Sequence, residues 1–174
     1  MAAQSFISSR AAVIREATDD HIIMTWDRSV GVVWKKVTTL AGVAKLSATY
    51  DQQAAKHPDG VYLLTIVEQA ASLPPTEVRE ALAIFLRRGG GYTRMSAVVH
   101  EGNGFRAAAV RSVVTGLAML VRLPYPHEIF ANLEQASKWL ATTKYKDVDA
   151  DYTALAVTHA RRSADQGARE ARGK

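Results

Sequence analysis

Cysteine is missing from the 174 residues. That absence excludes a disulfide framework, thiolate-ligated zinc and thiol catalysis together, and it fits a reducing compartment. Metal-ligand spacing is missing too. The histidines, His21, His57, His100, His127 and His159, fall one per segment with no HxxxH or HExxH pair. No Gly-x-Ser-x-Gly elbow and no nucleophile–base pair occurs, which argues against hydrolase, kinase and redox chemistry. The opening segment MAAQSFISSRAAVIREATDD lacks the basic-then-apolar order of a secretion signal. The longest apolar stretch, residues 107–121, is broken by Arg111 and is short for a bilayer span. A cytoplasmic protein with no transmembrane segment, no metal and no cofactor is expected.

Aromatic residues make up only 7%, and this weakens what the net charge of +5 first suggests. From Arg161 onward, Arg161, Arg162, Arg169, Arg172 and Lys174 stand against Asp165 and Glu170, so this tail supplies three of the five positive charges. Nucleic-acid binding needs cations gathered on a surface, with aromatic stacking partners. The tail has no aromatic residue and the remaining charges are dispersed, so no nucleic-acid partner is expected.

What the chain does have is apolar content of 48%, ample for a core, at a length that suits one domain with terminal extensions. Residues 12–17 and 21–26 read as strands around a Thr-Asp-Asp turn. Residues 27–37, DRSVGVVWKKV, fit either a continued sheet or the approach to a helix. Leu40, Val43, Leu46 and Tyr50 then recur at helical spacing until His57-Pro58-Asp59-Gly60 stops them. The run VYLLTIV at 61–67 has the continuous apolarity of a covered central strand. Leu73-Pro74-Pro75-Thr76 opens a second helix with Val78, Leu82 and Phe85 inward, and Gly89-Gly90-Gly91 ends it.

The segment TRMSAVVHEGNGFRAAAVRSVVTGLAML, residues 93–120, is a strand turning through Gly102-Asn103-Gly104 into a third helix. A short strand at 128–131 follows. Asn132 and Gln135 make a capping-box pair for a fourth helix, in which Leu133, Ala136 and Leu140 face inward beside Trp139. The fold class is therefore α/β, a mixed sheet of about five strands with about four helices. Residues 1–11 form an N-terminal extension, 12–143 the α/β domain and 144–174 a helical or disordered basic tail. The tail, with helix over about 152–161, lacks a large apolar stripe. Its deletion after Ala160 is expected to leave the melting temperature unchanged.

This element order, with the phrases EGNGFRAAAVRSVVTGL and IFANLEQASKWL, resembles the STAS-like domains. These include the bacterial anti-sigma-factor antagonists and are structurally related to SEC14-like lipid-binding modules. The resemblance covers roughly residues 12–141 and implies STAS-like connectivity and a non-enzymatic, partner-binding role. It also implies a switchable hydroxyl before the second helix, where Ser72 and Thr76 are the candidates for regulatory phosphorylation. The acid usual before such a serine is missing and two prolines occupy the loop, so a plain helix cap is the competing reading.

Other features give further candidates. Gly102, Asn103, Gly104, Phe105 and Arg106 could hold an anion against a helix N-terminus, although neither a P-loop nor a complete dinucleotide fingerprint is present. His100 and Glu101 sit where α/β folds place ligand groups, with no partner for acid–base work. In the third helix Phe105, Ala109, Val113, Gly116 and Leu120 can face the sheet. Val110, Val114, Leu117 and Val121 then form a second apolar stripe, covered by neighbouring helices, by self-association in a homodimer or by an apolar ligand. The leading expectation is a non-catalytic STAS-like protein-interaction module, regulatory, in a bacterial cytoplasm and acting on a protein partner. The rival is a small-ligand or lipid-binding domain with an apolar cavity beside the third helix.

Overall fold

A computed structural model of the chain describes residues 12–173, with the side chains of Arg106 and Arg172 left out. The proposed N-terminal extension, residues 1–11, lies outside the described residues. The elements run β1 (Val13–Ala17), β2 (His21–Trp26), β3 (Ser29–Trp34), α1 (Leu40–Lys56), β4 (Val61–Val67), α2 (Thr76–Gly89), β5 (Thr93–His100), α3 (Phe105–Val121), β6 (His127–Phe130), α4 (Leu133–Leu140) and α5 (Ala150–Arg172).

The domain is α/β with a mixed sheet. Its six strands lie in sequence order, β1-β2-β3-β4-β5-β6. The first two junctions are antiparallel and the other three parallel. Local chemistry explains the switch. Thr18 Oγ1 accepts from the Asp20 and His21 amides at 3.1 Å, which folds β1 back on β2. Asp27 takes φ of 43° in the two-residue turn to β3. From β3 onward each connection carries a helix long enough for a parallel crossover.

The ambiguous DRSVGVVWKKV segment is thus a full strand, with Trp34 directly across from His21. It is buried along its whole length, so it shows no alternation by which to recognise it. Gly31 is required there, because a Cβ at that position would stand 2.6 Å from the Trp26 ring.

Successive right-handed crossovers to adjacent strands put their helices on one face. Accordingly α1 and α2 pack Val43, Leu46, Tyr50, Val78 and Phe85 on Ile23, Val30, Val32, Val61 and Leu63. The opposite face carries α4 and α5, with Ala136, Leu140, Ala156, Val157 and Ala160 on Ile22, Met24, Tyr62, Leu64, Ile66 and Val99. Side-chain caps fix three helix starts: Thr39 for α1, Asn132 for α4 and Asp149 for α5.

The C-terminal tail is helical, and it contributes to the core where little contribution was expected. It forms the longest described helix, 23 residues, and Val157 and Ala160 are fully buried. Thr153, Ala156, Val157, Ala160 and Ala164 share the inward side, where small side chains let the helix backbone approach the sheet. The pieces before it are pinned as well. Arg94, with a side chain only 9% exposed, donates to Asp147 at 2.6 Å and Asp59 at 2.9 Å and lies 3.6 Å over the Tyr145 ring. Tyr62 donates to Asp147 at 2.6 Å. Residues 144–164 therefore belong to the same packed body as the sheet.

Candidate functional site

The α1–α2–α3 face leaves a hollow. Leu63, Thr65 and Val67 of β4, Ser96 and Val98 of β5 and His127 of β6 form its floor. Val110, Val113, Val114, Leu117 and Ala118 of α3 form its roof, and Leu82, Phe85 and Leu86 of α2 one wall. Trp34, Thr38, Leu46 and the Ser72-Leu73-Pro74 loop complete the lining, which holds no Lys, Arg, Asp or Glu. The cavity measures about 90 Å³. A mostly apolar, uncharged lining of this kind suits an apolar guest.

This arrangement reverses the expected roles of the two α3 stripes. Val110 is buried, and Val114 and Leu117 roof the cavity beside it, so the stripe assigned to self-association points inward. Of the stripe expected on the sheet, Val113 shares the cavity roof, while Phe105 and Leu120 at its two ends meet solvent at 91% and 68% exposed, as does Met119 at 74%. The two stripes are equally apolar, so composition could not choose between them.

Ser72 and Thr76 are both exposed, and Ser72 lies at the cavity rim. Neither caps a helix, contrary to the competing reading. The α2 N-cap is Pro75, with no side-chain hydrogen bond. The Ser72 hydroxyl and amide donate to the Lys36 carbonyl at 3.2 and 2.7 Å, and Thr76 Oγ1 accepts from Arg79 at 3.1 Å. Ser72 therefore ties this loop to the chain leaving β3.

The glycine loop adopts its expected turn, with φ of 154° at Gly102 and 76° at Gly104. Asn103 is exposed and the Arg106 side chain lies outside the described residues. Glu101 flanks the loop and is held bidentately by Arg161 at 2.9 Å, with Glu68 also 3.4 Å from Arg161. The Arg161 guanidinium beside the loop is thus already engaged by two carboxylates, which leaves it little to offer an anion. The same clasp gives Glu101 a structural job, while His100 is buried next to it. No cluster of metal-ligating side chains occurs among the described residues.

Burial shifts several titrations. It pushes the Tyr125 hydroxyl up to about 12 and raises Tyr50 further, while hydrogen bonds with Thr93 partly oppose both shifts. It holds His127 below its ordinary range, against a weaker opposing pull from Glu128. His127 is the feature the sequence left unmarked. One histidine without a spaced partner carries no signal, and its meaning comes only from β6 lying beside β5 over the hollow.

No family model, curated protein or solved structure matches this chain. Among the described residues, no helix is long and apolar enough to cross a membrane.

Proposed function

We propose that the protein is a non-catalytic binding module whose site is the apolar cavity beneath α3. The observation that carries this reading is the uncharged lining combined with a helical roof. A guest entering there replaces missing dispersion contacts of Leu63, Phe85, Val114 and Leu117 without stranding a charge. The ligand class is a small apolar molecule. Mass spectrometry of an organic extract of the purified protein should then reveal a bound apolar compound, or added aliphatic chains should raise the melting temperature. Val114→Phe, which fills the space, should abolish both effects. Identical behaviour of the wild type and the filled variant would refute the reading.

A second reading, the STAS-like regulatory module of a bacterial cytoplasm, draws support from the outer face of α3. Met119 and Leu120 lie together at the C-terminal end of α3 and Phe105 stands at its N-terminal end, and all three are largely exposed. A protein partner or a second copy of the chain would cover these residues rather than Val110, Val114, Leu117 and Val121. Phosphorylation at Ser72 would place charge at the rim of the cavity. Sedimentation of the wild type against a Phe105→Ser, Leu120→Ser variant tests the homodimer. A monomer at high concentration in both eliminates it.

A further inference from the structure

Both ring nitrogens of His127 are buried and meet no hydrogen-bond partner. Buried polar atoms are nearly always paired, so an orphaned imidazole needs a reason. The ring stands on β6 directly across from Ser96 of β5. It lines the apolar cavity on one side and, on the other, an outer groove carrying Arg111, Tyr125 and Glu128.

We propose that His127 anchors the hydroxyl of an aliphatic alcohol whose hydrocarbon chain lies in the cavity under α3. This rests on the cavity being the binding site and names the chemistry of its guest. An ionised head group is disfavoured, because no charged side chain lines the cavity and Arg111 lines only the outer groove. Burial keeps the imidazole neutral, so it offers one N–H donor and one bare acceptor nitrogen. A hydroxyl serves whichever nitrogen it meets, since it both donates and accepts. A carbonyl or ether oxygen serves only the N–H. Size adds a limit: about 90 Å³ is less than the roughly 150 Å³ that accepts benzene, so the cavity encloses only the first few carbons and the rest of a longer chain leaves past the exposed Ser72–Leu73 rim.

The test compares hexanol, hexane and hexanoate on the full chain by calorimetric titration. Hexanol should bind roughly tenfold tighter than hexane, the return on one buried hydrogen bond, and hexanoate more weakly than hexanol. In His127→Phe, hexanol and hexane should bind alike. A wild type that binds hexane as well as hexanol, or prefers hexanoate, overturns the anchor while leaving the cavity as a site. Failure of all three to bind overturns the cavity reading and the anchor with it. A readout independent of the variant is the nitrogen NMR of the wild-type His127 ring. Its signals should move with hexanol and not with hexane, and unmoved signals with hexanol bound refute the proposal.

Discussion

Helices α3 and α5 show how far apolarity and burial can part. α3 is built from Phe, Ala, Val, Met and Leu with few interruptions, yet Phe105, Met119 and Leu120 are mostly in solvent. α5 mixes alanine, threonine and charge, yet Ala156, Val157 and Ala160 are almost wholly inaccessible. The difference lies in attachment. α5 starts on the Asp149 cap, follows the Arg94–Asp147 anchor and is clasped at Arg161. α3 starts at Gly104 with no side-chain cap and ends at Arg122 in a left-handed conformation. Its inner side chains stand over a hollow rather than on the sheet. Packing is thus loosest at α3, which leaves that helix the element best placed to move around a guest.

The largest test of this contrast is a buried charge on each helix. Val157→Asp puts a carboxylate in a fully buried position and should cost about 4 kcal/mol or more, or prevent folding. Val114→Asp is half-buried over open space, where water can reach the new carboxylate, and should cost about 2 kcal/mol or less. Urea unfolding of the two variants measures both. Equal losses would mean that α3 is as firmly packed as α5.

The same contrast shows what the sequence disclosed and what it hid. Strands and helices were legible wherever apolar periodicity met a breaker, as at His57-Pro58 after α1 or Asn132 before α4. The segment at 29–34 was not, because a strand covered on both faces alternates in nothing. The helix at 152–161 was legible, but the docking of α5 on the sheet was not, because an alanine stripe looks polar beside a leucine stripe, although alanine is what allows close helix–sheet approach. For the candidate site, the cavity beside the third helix was foreseeable from that helix's surplus of apolar residues. Which stripe would roof it was not, and neither was His127. Both depend on strand neighbours distant in sequence.

A smaller effect should follow from cutting the clasp. Arg161→Ala leaves Glu68 and Glu101 close together with no cation between them. All three side chains are about a quarter to a third exposed, so solvent screens the loss and about 1 kcal/mol is expected. Because the tail is docked, truncation after Ala160 should lower the melting temperature by at least the amount seen for Arg161→Ala. Thermal scans of both variants decide this, and an unchanged melting temperature in the truncated chain would restore a detached tail.

On the α3 face, the histidine supplies a pH signature. His127 faces Ser96 across the sheet and shares its outer groove with Arg111, Tyr125 and Glu128. Its folded-state pKa lies below its unfolded value near 6.5, so the unfolded chain binds the proton more readily. Stability should therefore fall as pH drops through the window below about 6.5, and be unaffected by this group above it. His127→Phe should show a shallower loss between about pH 7 and 5 than the wild type. Matching slopes would place the ring in water rather than in the wall of the cavity.

The smallest expected change is on the outer face of α3. Phe105 is 91% exposed, so Phe105→Ser removes almost no buried area and should alter stability by less than about 0.5 kcal/mol. Its value lies in what it separates. If α3 serves only as the roof of an internal cavity, hexanol affinity and sedimentation should both be unchanged in this variant. If the outer face docks a second copy of the chain, sedimentation should shift toward monomer while hexanol affinity stays the same. A stability loss of about 2 kcal/mol or more would show that Phe105 is covered in solution, and the comparison between a tightly packed α5 and a loosely seated α3 would fail at its first residue.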